Sequence, residues 1–180
     1  MARLIIRPQR TPLSGSTTVP GDKSISHRAV MLGGLAQGTS SVRQWLPAGD
    51  TIATLDIMQA LGIEVAVDKT SDLGWDLTIH GRGLNGLREP DGALDCRNAG
   101  TCMRLLSGIM AGQSFPAVLD GSEQLRGRPM GRIIKPLALM GADIEAGDER
   151  APLHFRPSEL AAIEYQMPVA SAQVKSTLLL

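Results

Sequence analysis

The apolar positions of this chain predict helices that begin at similar polar turns. Apolar residues recur at intervals of four, three and four through residues 25–36, so we expect one face of a first helix to be buried. The residues of this face are Ile25, Ala29, Leu32 and Ala36. Apolar runs at residues 105–110 and 178–180 predict a second and a third helix.

The segments that follow the first two helices resemble each other and indicate an internal repeat. Ile57–Val65 is similar to Pro136–Ile144. The two copies are about 80 residues apart, which is a longer period than that of the common solenoid repeats. Each copy contains a glycine, Gly62 or Gly141, at the position where a helix C-cap is expected.

Each repeat therefore predicts one α/β unit, in which a helix, a strand, a second helix and two further strands follow the polar turn. In the first unit we expect the later elements at Ser40–Val42, Thr51–Leu61, Ile63–Val67 and Leu77–Ile79. In the second unit we expect them at Ala117–Leu119, Met130–Met140, Asp143–Glu145 and Leu153–Phe155. The sequence stops at Leu180 inside the first predicted helix of a third unit, so we expect the chain to be part of a longer protein.

The composition fits a single α/β core and argues against several classes of protein. A chain of 180 residues that is 43% hydrophobic can bury one core, and with only 3% aromatic residues that core must be largely aliphatic. The 18 basic and 18 acidic residues balance, which argues against a protein that coats nucleic acid or a membrane surface. No apolar run is long enough for a signal peptide or a membrane span, so we expect a cytoplasmic protein.

The cysteines and histidines do not predict a metal or redox centre. Cys96 and Cys102 are too few for a zinc site or a disulfide framework, so we expect free thiols. His27, His80 and His154 form no ligand cluster in the sequence. His27 flanks the first polar turn, where it has either a structural role or a role in tuning an anion site.

The first polar turn, Pro20–Arg28, has the features of an anion site. A Pro-Gly pair brings Lys23 and Ser24 to the start of the first helix, and Arg28 follows four residues after Ser24. The free N–H groups and the positive end of the helix dipole favour an anion at this position. The alternative is a helix capped by serine, with two solvated cations.

The same arrangement recurs at two further helix starts. A cation follows a small residue by four positions at Gly100 and Arg104, and again at Ser171 and Lys175. A fourth loop is crowded with cations, namely Arg126, Arg128, Arg132 and Lys135. Arginine suits the bidentate capture of carboxylate or phosphate oxygens. If the repeats pack around a common axis, these turns form one oxyanion pocket; otherwise the fourth loop is an ordinary solvated surface.

These motifs together resemble the N-terminal part of the 5-enolpyruvylshikimate-3-phosphate synthases. The resemblance covers the chain from about Leu13 to Leu180 and is closest to the bacterial class II branch. It rests on Gly21–Ala29, Asn98–Arg104, Arg128–Met130 and Ser171–Ser176.

The fold implied by this resemblance is an inverse α/β barrel built from repeated βαβαββ units. The chain would hold two full units and the start of a third. Residues 1–12 would form a short strand, near Leu4–Arg7, that packs with a second domain in the family. Residues 13–180 would form an N-terminal domain that is incomplete at its C-terminal end.

The activity implied by the resemblance is transfer of the enolpyruvyl group of phosphoenolpyruvate to the 5-hydroxyl of shikimate 3-phosphate, with release of phosphate and without a cofactor or metal. The implied ligands of shikimate 3-phosphate are Lys23, Ser24, Arg28, Ser171, Ala172 and Gln173. The implied ligands of phosphoenolpyruvate are Lys23, Gly100, Arg128 and Gln173. Lys23, which touches both substrates, is the implied catalytic residue.

In the family, a general acid/base carboxylate and further cations come from the second domain. We therefore expect the chain to need a C-terminal domain or complementing fragment, to bind shikimate 3-phosphate weakly by itself and to catalyse nothing alone. One alternative is a non-catalytic half that binds a phosphate ligand or serves assembly. A less favoured alternative is the related UDP-N-acetylglucosamine enolpyruvyl transferase.

The chain departs from the family pattern at Arg97, where relatives usually have glycine before the Asn-Ala-Gly-Thr motif. A side chain at this position would either disturb the loop or add a cation near the phosphoenolpyruvate site. Gly100 is retained, and its retention favours sensitivity to glyphosate, the family inhibitor that occupies that site.

Overall fold

Two α/β units and one further helix make up the fold, in a computed structural model that describes residues 4, 5, 8, 11, 12, 14–69 and 73–180. The first unit contains α1 (Lys23–Leu35), β1 (Gln37–Trp45), α2 (Gly49–Ala60), β2 (Glu64–Asp68) and β3 (Trp75–Arg82). The second unit contains β4 (Leu94–Asp95), α3 (Gly100–Ala111), β5 (Ala117–Asp120), α4 (Glu123–Arg126), α5 (Gly131–Leu139), β6 (Asp143–Glu145) and β7 (Leu153–Arg156). A short 3₁₀ turn, Gly147–Glu149, precedes β7, and α6 (Ala172–Leu179) follows the second unit.

The two sheets have corresponding strand orders, which confirms the repeat inferred from the sequence. The first sheet has the order β1-β3-β2 and is antiparallel throughout. The second has the order β4-β5-β7-β6, in which β4 and β5 are parallel and the other neighbours antiparallel. In both units the last strand lies between the two strands that precede it. The expected α/β fold of repeated units is therefore confirmed.

The leading strand of the βαβαββ pattern is seen in the second unit as β4. The residues described just before α1, 14–22, contain no strand. The strand expected within residues 1–12 lies largely outside the described residues. Leu4 and Ile5 are described, and both are exposed and without regular structure.

The glycines after α2 and α5 end their helices as the sequence predicts. Gly62 has φ 90° and Gly141 has φ 101°, a left-handed conformation that favours glycine. In both cases the next residue donates its N–H to a carbonyl five positions earlier, which satisfies an end group of the helix. The chain then turns directly into β2 or β6.

The centre of the core is α3, which is buried on nearly all sides. Met103, Leu105 and Leu106 are fully shielded from solvent. A helix that is apolar all round is stable only where other elements surround it, and α3 packs against α1, α2, α5 and α6. Because Gly100 is the first residue of α3, the core fixes the position of the second polar turn.

The buried face predicted for α1 is wrong. Ile25 is 68% exposed and Leu32 is 53% exposed. The face that packs on the core instead carries Ser26, His27, Val30, Met31, Gly33, Gly34 and Leu35. Glycines allow close approach here, since a Cβ at Gly33 would lie 3.0 Å from Ile79 Cδ1 in β3. The orientation of α1 therefore depends on small residues that a count of apolar positions ignores.

Candidate functional site

Helix α6 is the element that joins the three polar turns. Arg28 Nη2 on α1 donates to Ser176 Oγ on α6 at 2.7 Å. Arg104 Nη1 on α3 donates to Gln173 Oε1 on α6 at 3.0 Å. Thr177 Oγ1 donates to the carbonyl oxygen of Arg104 at 2.8 Å. The first and second turns are thus both tied to the third, as expected for turns that converge on one pocket.

The second polar turn, which carries Arg104, and the fourth loop, which carries Arg128, meet at Gly100. A Cβ at Gly100 would lie 3.1 Å from Nη1 of Arg104 and 3.1 Å from Nη1 of Arg128. A Cβ here would require both guanidinium groups, which end flexible side chains, to shift by a few tenths of an ångström. Glycine leaves them in place without that adjustment. The result is a pair of adjacent cations at the start of a buried helix.

The charge at this point is only partly compensated within the chain. Burial lowers the pKa of Arg104 from its ordinary value, and the nearby cations Arg128 and Arg132 lower it further. Among the described residues, neither Arg104 nor Arg128 has an acidic partner. Like charges held this close favour the binding of an anion between them.

Polar side chains hold these cations in position. Gln173 Nε2 donates to Thr101 Oγ1 at 2.9 Å, so Gln173 bridges α3 and α6. Arg128 Nη2 donates to Asn98 Oδ1 at 3.3 Å. The Asn98 amide nitrogen in turn donates to Gln124 Oε1 at 2.8 Å. The site is therefore a hydrogen-bonded network as well as a set of charges.

The first turn holds its own counter-charges. Lys23 Nζ forms an ion pair with Asp50 on α2, and the Lys23 side chain is 51% exposed. Asp22, rather than a serine, caps α1, because its Oδ1 accepts from the N–H of Ile25 at 2.8 Å. The alternative of a serine cap is therefore wrong for α1. Ser24 is exposed at the same end of the helix.

The third turn is the start of α6. Ser171 is the N-cap residue, and its Oγ accepts from the N–H of Val174 at 3.3 Å. Ala172 is exposed in the first turn of α6, and Gln173 points back to α3. Lys175, the cation that marks this turn in the sequence, is exposed. Ser176 rather than Lys175 makes the contact to α1.

The cations of the fourth loop divide into two groups. Arg126 donates from Nε and Nη2 to the two carboxylate oxygens of Asp120, at 2.8 and 2.5 Å. This bond lowers the pKa of Asp120. Lys135 pairs with Glu149 at 2.9 Å. Arg128 and Arg132 remain near Arg104, so only part of the predicted cluster contributes to the site.

Arg97 adopts a conformation usually reserved for glycine. Its φ is 51°, and its guanidinium Nη2 lies 2.6 Å from Asp56 Oδ2 on α2. The loop accommodates the side chain, and the charge is paired with a carboxylate of α2 instead of being added to the Arg104–Arg128 pair.

His27 and the two cysteines lie in the core. His27 Nδ1 is 2.6 Å from Thr54 Oγ1, while Nε2 has no partner among the described residues. Burial is the main cause that lowers the pKa of His27 from 6.5 to about 4, with Lys23 and Arg28 acting in the same direction and Asp50 opposing them. Cys96 and Cys102 are buried free thiols, as expected.

Several residues of the network were missing from the candidate set. They are Asp50, Asn98, Thr101, Arg104, Ser176 and Thr177. The spacing of Arg104 from Gly100 was a usable signal, since it matches Arg28 and Ser24 in the first turn. Asn98, Thr101 and Ser176 lie within the motifs that carry the resemblance, although they are not among its implied ligands. Asp50 and Thr177 are brought in by tertiary contacts that leave no mark on the local sequence.

Two absences hold for the part of the chain that the structure describes. There, no group of three or more His, Cys, Asp or Glu side chains is arranged to hold a metal ion. Within the same residues, no helix has the length and apolar character needed to span a membrane.

Comparison with known proteins gives a consistent result. Residues 8–180 match the family described as EPSP synthase (3-phosphoshikimate 1-carboxyvinyltransferase). A 3-phosphoshikimate 1-carboxyvinyltransferase from Acidithiobacillus ferrooxidans is 52% identical over 180 residues, which is 100% of this chain and 40% of that protein. One from Citrifermentans bemidjiense is 49% identical and is covered over 41% of its length.

A solved structure shows the same fold. An EPSP synthase from Acinetobacter baumannii aligns with a TM-score of 0.86 and 45% sequence identity, over 92% of this chain and 37% of that one. The chain thus spans about 40% of the length of the curated relatives it matches.

Proposed function

The chain belongs to the EPSP synthase family, and on this premise we propose that it supplies part of an enzyme that transfers the enolpyruvyl group of phosphoenolpyruvate to the 5-hydroxyl of shikimate 3-phosphate. The observation that carries the proposal is the pair of guanidinium groups, Arg104 and Arg128, that lie against Gly100. Gln173 holds the first of them and Asn98 the second. Such a pair is suited to an anionic substrate.

In this proposal the shikimate 3-phosphate lies between α1 and α6. Its ligands are Lys23, Ser24, Arg28, Ser171, Ala172 and Gln173. The contact between Arg28 and Ser176 supports this placement, because it brings the guanidinium of the first turn to the third turn. A phosphate there would meet a cation from α1 and the N-terminus of α6 together.

Phosphoenolpyruvate lies next to it, at the start of α3. Its ligands are Lys23, Gly100, Arg128 and Gln173, and we add Arg104 because its guanidinium stands beside that of Arg128. Both substrates are anions, so holding them side by side requires a field of positive charge that is already in place before they bind. Holding the two substrates next to each other then lowers the activation barrier by several kcal/mol.

In this proposal Lys23 contacts both substrates, a role that the family resemblance implies. Its side chain is half-exposed, and the ion pair with Asp50 on α2 holds its ammonium group beside the start of α1. The proton transfers of the reaction need a general acid/base carboxylate that the family resemblance assigns to a second domain. The proposal also carries over from the family a cytoplasmic location and inhibition by glyphosate at the phosphoenolpyruvate site.

The test is a calorimetric titration of the chain with shikimate 3-phosphate. The wild-type chain is expected to saturate, and Arg28→Ala to lose at least about tenfold in affinity, since a charged hydrogen bond contributes roughly 1.5–3 kcal/mol. Arg156→Ala is the matched control, because Arg156 is an exposed arginine whose ion pairs with Asp143 and Glu145 lie within the second sheet.

Two results would contradict the proposal. One is a folded wild-type chain that does not bind, and the other is an Arg28→Ala chain that binds as well as wild type. In a second assay, the part of a relative that this chain does not span is supplied as a second chain. Phosphate release from phosphoenolpyruvate is expected only in its presence. Turnover by the chain alone would show that no second domain is needed.

A further inference from the structure

The turn that carries Asn98 into the site is built around Arg97. The N–H of Ala99 donates to the carbonyl oxygen of Cys96 at 2.8 Å, which closes a four-residue turn. Arg97 is the first central residue of this turn, and its φ of 51° is positive. Glycine is the usual residue at such a position, since any other residue there costs roughly 1–2 kcal/mol of conformational energy.

Three contacts from three different elements hold Arg97 in this conformation. Its N–H donates to Asp95 Oδ1 at 2.7 Å, and its carbonyl oxygen accepts from the N–H of Ser122 at 2.7 Å. Its guanidinium Nη2 donates to Asp56 Oδ2 at 2.6 Å. The first two contacts are made by the backbone and survive substitution with glycine. The third exists only because an arginine is present.

We propose that Arg97 is a positioning residue, whose ion pair with Asp56 ties the turn at residues 96–99 to α2 and so fixes Asn98 against Arg128. The inference rests on the proposed function in one respect, namely that phosphoenolpyruvate binds at this turn.

The path from Arg97 to the site is short. Asn98 Oδ1 accepts hydrogen bonds from Arg128 Nη2 and from Ser122 Oγ, both at 3.3 Å. Gly100, two residues further on, borders the guanidinium groups of Arg104 and Arg128. A turn that moves more freely relative to α2 would carry Asn98 away from Arg128. The ion pair therefore acts on the anion pocket through the backbone and without contacting the ligand.

The first test needs no ligand and measures amide hydrogen exchange. In Asp56→Asn, the N–H groups of Arg97, Ala99 and Ser122 are expected to exchange roughly two- to five-fold faster, which corresponds to the loss of one exposed ion pair. Arg97→Lys keeps a cation and is expected to retain near wild-type exchange. Glu145→Gln, which breaks the exposed Arg156–Glu145 pair, is the matched control and is expected to leave this turn unchanged.

The second test separates positioning from general stability by comparing two ligands. In Asp56→Asn, which removes the ion pair and leaves Arg97 in place, the Kd for phosphoenolpyruvate is expected to rise roughly two- to five-fold, while the Kd for shikimate 3-phosphate stays within error. A loss of overall stability would weaken both ligands together. Arg97→Lys, which keeps a cation opposite Asp56, should keep the wild-type affinity for phosphoenolpyruvate.

The two tests also distinguish the inference from the proposed function. Unchanged exchange in Asp56→Asn, or equal weakening of both ligands, overturns the role of Arg97. A wild-type chain that binds neither substrate contradicts the proposed function, and the exchange experiment then still decides whether Asp56 holds the turn. Faster exchange confined to the turn supports the inference in that case as well.

Discussion

The crossing of α3 and α6 makes Gly108→Ala the most informative substitution in this fold. A Cβ at Gly108 would overlap the carbonyl oxygen of Thr177 and lie 2.9 Å from its carbonyl carbon. The obstacle is backbone, so it cannot move aside as the end of a flexible side chain does. Either α6 shifts away from α3 or the backbone of α3 distorts.

The expected cost is modest for the whole fold and large for the site. Overpacking costs about 1–3 kcal/mol, and alanine recovers about 0.5–1 kcal/mol of helix propensity, so we expect a net loss of at most about 2.5 kcal/mol. Only Val174 and Thr177 of α6 are buried, whereas α3 is buried on nearly all sides, so we expect α6 to shift rather than α3. The hydrogen bonds of Gln173 and Ser176 to α3 and α1 would then be lost.

Two measurements test this reasoning. Hydrogen exchange is expected to show reduced protection throughout α6, and calorimetry at least about a tenfold loss of affinity for shikimate 3-phosphate, which corresponds to about 1.4 kcal/mol. Gly112→Ala is the matched control at the end of the same helix, because the nearest atoms to a Cβ there are 3.9 Å away. If Gly108→Ala keeps wild-type protection of α6 and wild-type affinity, the packing of α6 described here is wrong.

Two further predictions concern stability. The pKa of His27 is lowered to about 4 in the folded chain, so the unfolded chain takes up the proton first as the pH falls. The free energy of unfolding is therefore expected to fall as the pH drops from about 6.5 towards about 4. Urea midpoints at about pH 7 and about pH 5 should differ less in His27→Leu than in wild type. Gly62→Ala is expected to lower the free energy of unfolding of the protein by about 1–2 kcal/mol, because Gly62 has a φ of 90°. Gly49→Ala, where a Cβ meets nothing within 4 Å, should be neutral, and equal urea midpoints for both glycine variants would contradict the assignment of the helix end.

The parts of the fold that the sequence predicted well are those set by local chemistry. Both C-cap glycines, the second helices and the paired strands lie within a few residues of their expected positions. A left-handed residue after a helix almost demands glycine, and this signal is present in the sequence itself. The repeat then strengthened each assignment, because the same order of elements occurred in both units.

The parts that the sequence predicted poorly depend on what each element packs against. The spacing of Ile25 and Leu32 is helical, but α1 turns this face to solvent because Gly33 and Gly34 bring the opposite face close to β3 and α2. Arg126 was grouped with Arg128 because they are neighbours in the chain. Its carboxylate partner, Asp120, lies at the end of β5, and the sequence alone does not show that the two meet.

The three helix starts that look alike in the sequence differ in a way that decides their chemistry. Asp22 gives α1 a carboxylate cap, Ser171 caps α6 with a hydroxyl, and Ala99 offers α3 no side-chain cap. The start of α3 is therefore the one of these three whose N–H groups meet no capping side chain, and it is also where Arg104 and Arg128 adjoin. The free N–H groups, the helix dipole and two cations all favour an anion at this position. Among the three starts, that of α3 is therefore the best suited to phosphoenolpyruvate, with its phosphate and carboxylate.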